Sequence, residues 1–106
     1  ADVVYLPTDN IAASNTEAIA NVTVPAKTPV IAGEEGICKG CGVATLSISY
    51  YDLGMTTGKM AAKILTGEAD ISTMPIEFTT ATPKYNASMC ETLGITPLEG
   101  YTAIAE

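Results

Sequence analysis

Apolar positions fall in short unbroken runs divided by longer stretches of mixed polarity. "DVVYLP" (2–7) is rich in β-branched residues and ends on Pro7, which reads as a buried strand. "TDNIAASNTEAIANV" (8–22) reads as a helix, with Ile11, Ala12, Ala18, Ile19 and Val22 near one face. "AKTP" (26–29) is a turn, and "PVIAG" (29–33) is a second strand that stops at Gly33. "EEGICKGCG" (34–42) holds three glycines and two thiols and reads as a loop with at most one helical turn. "VATLSIS" (43–49) is a third strand, and residues 50–68 carry the longest helical pattern, with Gly67 as its stop. "MPIEFTT" (74–80) reads as a strand, and residues 83–95 as an extended start leading to a short helix over 87–93. "TPLEGYTAIAE" (96–106) has no period and reads as a loosely attached tail.

Strands alternate with helices, and each strand is apolar without interruption. That pattern fits strands covered on both faces, in a parallel α/β layer architecture with a Rossmann-like sheet and flanking helices. In the long helix, Gly54 and Gly58 stand four residues apart beside a stripe of Leu53, Thr57, Ala61, Ile64 and Leu65. Close packing on a sheet or helix is the expected reason for the two glycines.

Composition narrows the chemistry. The 106 residues suggest one small domain or part of a larger one. They are 47% hydrophobic and 16% charged, which supplies a core and argues against disorder. Net charge is −7, with lysine but no arginine and no histidine. Without a basic patch the chain has no means of displacing counterions from phosphates, so nucleic acid is not an expected partner. The lack of histidine removes the commonest general base and zinc ligand, and the chain is not expected to be an enzyme. No apolar run reaches the roughly 18–20 residues that span a bilayer.

Cys38 and Cys41 form a Cys-x-x-Cys spacing, and Cys90 is the third thiol. A redox pair or half a zinc site is one reading. Zinc would need two more ligands, and a redox pair favours a helix N-terminus, whereas Gly40 and Gly42 suggest a loop. Two incidental loop thiols are the expectation, with no metal and no cofactor.

Polar residues stand at three strand ends: Thr8, Asp9 and Asn10; Glu34 and Glu35; Ser49 and Tyr50. In open parallel sheets ligands sit beyond the carboxyl ends of the strands. Thr8, Asp9 or Asn10 could cap the following helix, line a polar site, or do both. Glu34 and Glu35 could equally be a solvated loop. Paired acids can serve glycoside hydrolysis, but nothing local indicates the burial such chemistry needs. The glycine-rich dinucleotide fingerprint is absent, since "PTDN" occupies the first turn.

The ordered set "TDN", "EEG" and "ATLSISYYDLGMTTGKMAAKIL" resembles the solute-binding proteins of bacterial ABC transporters, notably the tryptophan/tyrosine type, over roughly residues 2–95. The resemblance implies a partial C-terminal lobe of a type I periplasmic binding protein at 1–95 and a C-terminal tail at 96–106. Two Rossmann-like lobes would close on a small solute, with helix 50–68 crossing the hinge. It places Thr8, Asp9 and Asn10 at a cleft-facing strand end, Glu34 and Glu35 in the next cleft loop, and Ser49 and Tyr50 toward the hinge. An amino acid, aromatic such as tryptophan or tyrosine, is the implied solute, and membrane permease subunits of an ABC importer are the implied partners. The implied location is extracytoplasmic, in the periplasm or lipid-anchored at the cell surface. Two departures stand out: relatives often carry an acid where this chain has Ser49, and their loop usually lacks thiols. Competing readings are a ligand-sensing domain of the same fold and a small thiol redox or metal protein using Cys38 and Cys41. A partial lobe would expose apolar surface and self-associate as a homodimer or swapped assembly.

Overall fold

The computed structural model describes residues 1–105, which divide into two compact units, 1–47 with 82–105 and 48–81. The first unit is a five-stranded sheet in the order β1 (Val4–Leu6), β2 (Val30–Ala32), β3 (Ala44–Ser47), β4 (Thr82–Tyr85) and β5 (Thr102–Ala103). β1, β2 and β3 run parallel, β4 runs antiparallel to β3, and β5 runs parallel to β4. The expected α/β layer architecture is present, with the last two strands reversed relative to the first three.

Register fixes which side chains share a face. Leu6, Ala32, Thr45 and Lys84 lie across from one another, as do Tyr5, Ile31, Ala44 and Tyr85. Helices α1 (Asn10–Ser14), α2 (Thr16–Thr23) and α3 (Glu35–Cys41) cover the first of these faces. Val30, Ala32, Ile37, Cys38 and Cys41 form the buried centre, and Ala12, Ile19 and Ala20 pack against it. The opposite face is largely uncovered: Tyr5 is 66% exposed and Leu46 61%. Residues 95–101 border an apolar groove of about 240 Å³ there, floored by Ile31, Ala44 and Leu46. Strands expected to be covered on both faces are therefore covered by helices on one.

Three local expectations change. The helix over 8–22 is two helices, broken at Asn15, whose side-chain amide donates to Ile11 O at 2.8 Å. The 34–42 stretch is not a loop: α3 forms because Ile37, Cys38 and Cys41 all reach the core. Gly40 permits this, since a Cβ there would lie 2.3 Å from Thr16 Oγ1 on α2. The expected loose tail at 96–106 is not one over its described residues, 96–105, because β5 pairs with β4, Ile104 N donates to Tyr85 O at 2.8 Å, and Ile104 is buried, while residue 106 lies outside the described residues. α5 (Ala87–Leu93) occupies the expected span and ends on Gly94 in the left-handed conformation, φ 68°.

The second unit is α4 (Tyr50–Leu65) followed by an irregular segment to residue 81. Gly67 takes φ 82° just beyond the helix, as its position predicts. The half-buried face of α4 runs through Leu53, Thr56, Met60 and Ile64, while Thr57, Ala61 and Leu65 are exposed. No atom lies within 4 Å of where a Cβ at Gly54 or Gly58 would stand, so close packing does not explain them among the described residues. The strand expected at 74–80 is absent from that span; Ile76 is 93% exposed, and the fourth strand begins at Thr82. No helix among the described residues is long and apolar enough to cross a membrane.

Candidate functional site

β1 and β2 end side by side. Gly33 N donates to Leu6 O at 2.8 Å, and a Cβ on Gly33 would stand 2.8 Å from Thr8 N. Only a residue without a side chain allows this approach, which sets Thr8 and Asp9 beside the start of α3. Asp9 Oδ1 accepts from Ala12 N at 2.8 Å, making Asp9 the N-cap of α1. Thr8 and Asn10 are exposed, and Asn10 is the first residue of α1.

Glu34 caps α3. Its carboxylate accepts from Gly36 N at 2.9 Å and from Ile37 N. Glu35 reaches away from its own helix. Its backbone N donates to Ser47 Oγ at 3.1 Å, tying the start of α3 to the end of β3. Its Oε2 meets Lys84 Nζ at 3.0 Å, and both side chains are about one-third exposed. The expected acid pair is thus split: one acid serves the helix and the other an ion pair to a strand 49 residues away.

Lys84 and Ser47 are the site residues that sequence reasoning missed. Lys84 is followed two residues later by Asn86, which holds the opposite end of α3. Asn86 Nδ2 donates to Cys38 O at 3.0 Å and Lys39 O at 3.1 Å, while its Oδ1 accepts from Met89 N at 3.1 Å and caps α5. β4 and the residue just beyond it therefore grip α3 at both ends. The available signal was an asparagine in N-cap position before the 87–93 helix, two residues after a lysine.

Ser49 and Tyr50 belong to the second unit. Ser49 Oγ accepts from Asp52 N at 3.2 Å and caps α4, and the side chain of Tyr50, the first residue of α4, is exposed. The three polar clusters thus share a structural duty, since each supplies the cap of the helix that follows its strand.

The thiols are core groups. Cys38 and Cys41 are buried on α3, and Cys90 is buried on α5. Burial, reinforced by the neighbouring Cys41, Cys90, Glu34 and Glu35, pushes the Cys38 thiol up to about 12. Burial also raises Cys41 and Cys90. A thiol held protonated is a poor nucleophile and metal ligand. The sulfur of Cys41 donates to Ile37 O at 3.5 Å, and that of Cys90 to Val43 O at 3.6 Å. The incidental loop thiols of the sequence reading are packed helical ones.

Carboxylates, hydroxyls and one ammonium thus stand around one end of the parallel strands in the first unit. Groups of these types can hydrogen-bond to a charged or zwitterionic molecule.

Known proteins resemble the chain in sequence and fold. The chain is 37% identical over 68 residues to a tyrosine-binding protein of Clostridioides difficile, a match covering 64% of this chain and 20% of that protein. A ligand-free, open substrate-binding protein with adhesive properties from Clostridium difficile superposes with TM-score 0.77 at 33% identity, covering 96% of this chain and 35% of the other. An ABC domain from Streptococcus pneumonia in complex with L-Trp gives TM-score 0.80 at 28% identity, covering 97% and 37%. The chain therefore spans between a fifth and somewhat over a third of the length of these relatives. The family model for ABC transporter substrate binding proteins matches residues 1–106, and the chain belongs to that family.

Proposed function

We propose that the intact protein captures an amino acid, aromatic such as tyrosine or tryptophan, outside the cytoplasm and hands it to the permease subunits of an ABC importer without transforming it. The observation that supports this most is the gathering of Thr8, Asp9, Glu34 and Glu35 at the carboxyl ends of adjacent parallel strands, in a fold shared with a relative that was solved with L-Trp. A zwitterion needs an anion for its ammonium and donors for its carboxylate. Asp9 supplies the first, since Ala12 N engages its Oδ1 and Oδ2 remains to accept. Thr8 offers a hydroxyl and Asn10 an amide, both exposed. Glu34 and Glu35 set the charge of the rim.

Closure of two lobes over the solute would exclude water and strengthen each of these bonds. The chain alone holds part of such a cleft and binds weakly; with its sheet face uncovered it self-associates. Titration calorimetry of the intact protein with tyrosine, tryptophan and non-aromatic amino acids tests the reading. Saturable heat with an aromatic amino acid, lost on Asp9→Ala, is expected. No heat with any amino acid would remove the assignment.

A further inference from the structure

The rim is rich in acids, yet a zwitterion also brings a carboxylate. The backbone N–H groups that could receive it are largely taken. Ala12 N goes to Asp9, Gly36 N and Ile37 N go to Glu34, and Glu35 N goes to Ser47. Cations are scarce as well. The chain has no arginine, and its five cations are lysines. Lys27 lies in the turn before β2, at the opposite end of the parallel strands, and Lys39 lies in the last turn of α3, away from the rim. Lys59 and Lys63 are on α4 in the second unit. Within the first unit, Lys84 is the cation at this end of the sheet among the described residues.

Its geometry suits the task. The side chain is 31% exposed, so it is partly packed and partly open to solvent. An ammonium carries three N–H donors, and Glu35 Oε2 engages one at 3.0 Å. The Glu35 contact also fixes where a flexible side chain ends, which lowers the ordering cost of a second bond.

We propose that Lys84 holds the carboxylate of the bound solute, with Glu35 anchoring the ammonium in place. The inference deepens the amino-acid reading above and rests on it. It puts the carboxylate of the zwitterion at Lys84 on β4, beside Glu35. It also makes a free carboxylate a condition of tight binding.

The test is titration calorimetry of the intact protein with L-tyrosine and L-tryptophan, each beside its amide, which keeps the ammonium and ring but lacks the carboxylate charge. The wild type should prefer the free acid by about 10- to 100-fold, the range for a hydrogen bond to a charged group. Lys84→Met should remove that preference by weakening the acid far more than the amide. The double variant Lys84→Met/Glu35→Gln should behave the same way without leaving a lone carboxylate, and Lys84→Arg should keep the preference. Circular dichroism checks that each variant is folded. An acid-over-amide preference that survives Lys84→Met, or equal loss for both ligands, overturns the role of Lys84. Equal wild-type affinity for acid and amide does so too, while leaving amino-acid capture standing. Failure of the wild type to bind any of the four compounds overturns the amino-acid reading itself, and this inference with it.

Discussion

Asn86 offers the sharpest check on how the site is held. The residue is 8% exposed and makes bonds in two directions, its Nδ2 to Cys38 O and Lys39 O and its Oδ1 to Met89 N and Ser88 Oγ. Asn86→Ala removes the cap of α5, worth about 1 kcal/mol. It also removes two bonds to α3 at about 1 kcal/mol each, for a total near 3 kcal/mol. The two carbonyls do not suffer equally. Cys38 O keeps a second partner, Gly42 N at 2.9 Å, so the loss of a partner falls mainly on Lys39 O. Asn86→Ser keeps an oxygen for the cap and loses only the α3 bonds, so about 2 kcal/mol is expected. Asn86→Asp also keeps the cap, but sets a carboxylate against two carbonyl oxygens, and should lose at least as much as Asn86→Ala. Urea unfolding followed by circular dichroism and tyrosine fluorescence gives these differences by linear extrapolation. Wild-type stability in Asn86→Ser, or a gain in Asn86→Asp, would show that the grip of Asn86 on α3 carries no energy.

Three other outcomes follow from the core and the open face. Cys38 ionises near its ordinary value of 9.0 when unfolded but near 12 when folded, so the unfolded chain loses its proton first. Its contribution to stability is therefore full below pH 9 and drains away as pH rises toward 12, which melts recorded from pH 8 to 11 would show as a falling Tm. In native buffer at pH 8 iodoacetamide should leave all three buried cysteines intact, and in urea it should modify them; fast native labelling would contradict their burial. The 106-residue chain by itself should form dimers at rising concentration through the face bearing Tyr5, Ile31 and Leu46, and Leu46→Lys should return it to monomers. A wild-type monomer at every concentration in light scattering would count against that surface.

Strand and helix positions were legible wherever apolar pattern and local capping agreed. Asp9 caps α1 and Ser49 caps α4 from the polar clusters that mark the strand ends. α3 was hidden because Gly36, Gly40 and Gly42 imitate a loop, and the cause of its helicity is burial of Ile37, Cys38 and Cys41, which lies outside local propensity. The uncovered sheet face was hidden for a related reason. An apolar strand residue reports that a face is built for cover, and says nothing of whether the same stretch of chain supplies it. Lys84 escaped notice because its meaning depends on Glu35, far off in sequence and near in space.

These observations join in α3. A seven-residue helix with two internal glycines has no stability of its own, since isolated helices need about 12–15 residues and each glycine costs about 1 kcal/mol relative to alanine. Its place is imposed from outside, by the core residues on its inner side and by Lys84 and Asn86 at its ends. The position of Glu35 on the rim is therefore inherited from packing at Cys38 and Cys41, two turns or less away. A cavity made there, as by Ile37→Ala at about 2–5 kcal/mol, would loosen the helix as a unit and release the Glu35–Lys84 pair with it. Solute affinity of the intact protein should then fall although Ile37 is fully buried and cannot touch a ligand. Unchanged affinity in a folded Ile37→Ala protein would mean that the rim is fixed by its own hydrogen bonds and that the core beneath it does not govern the site.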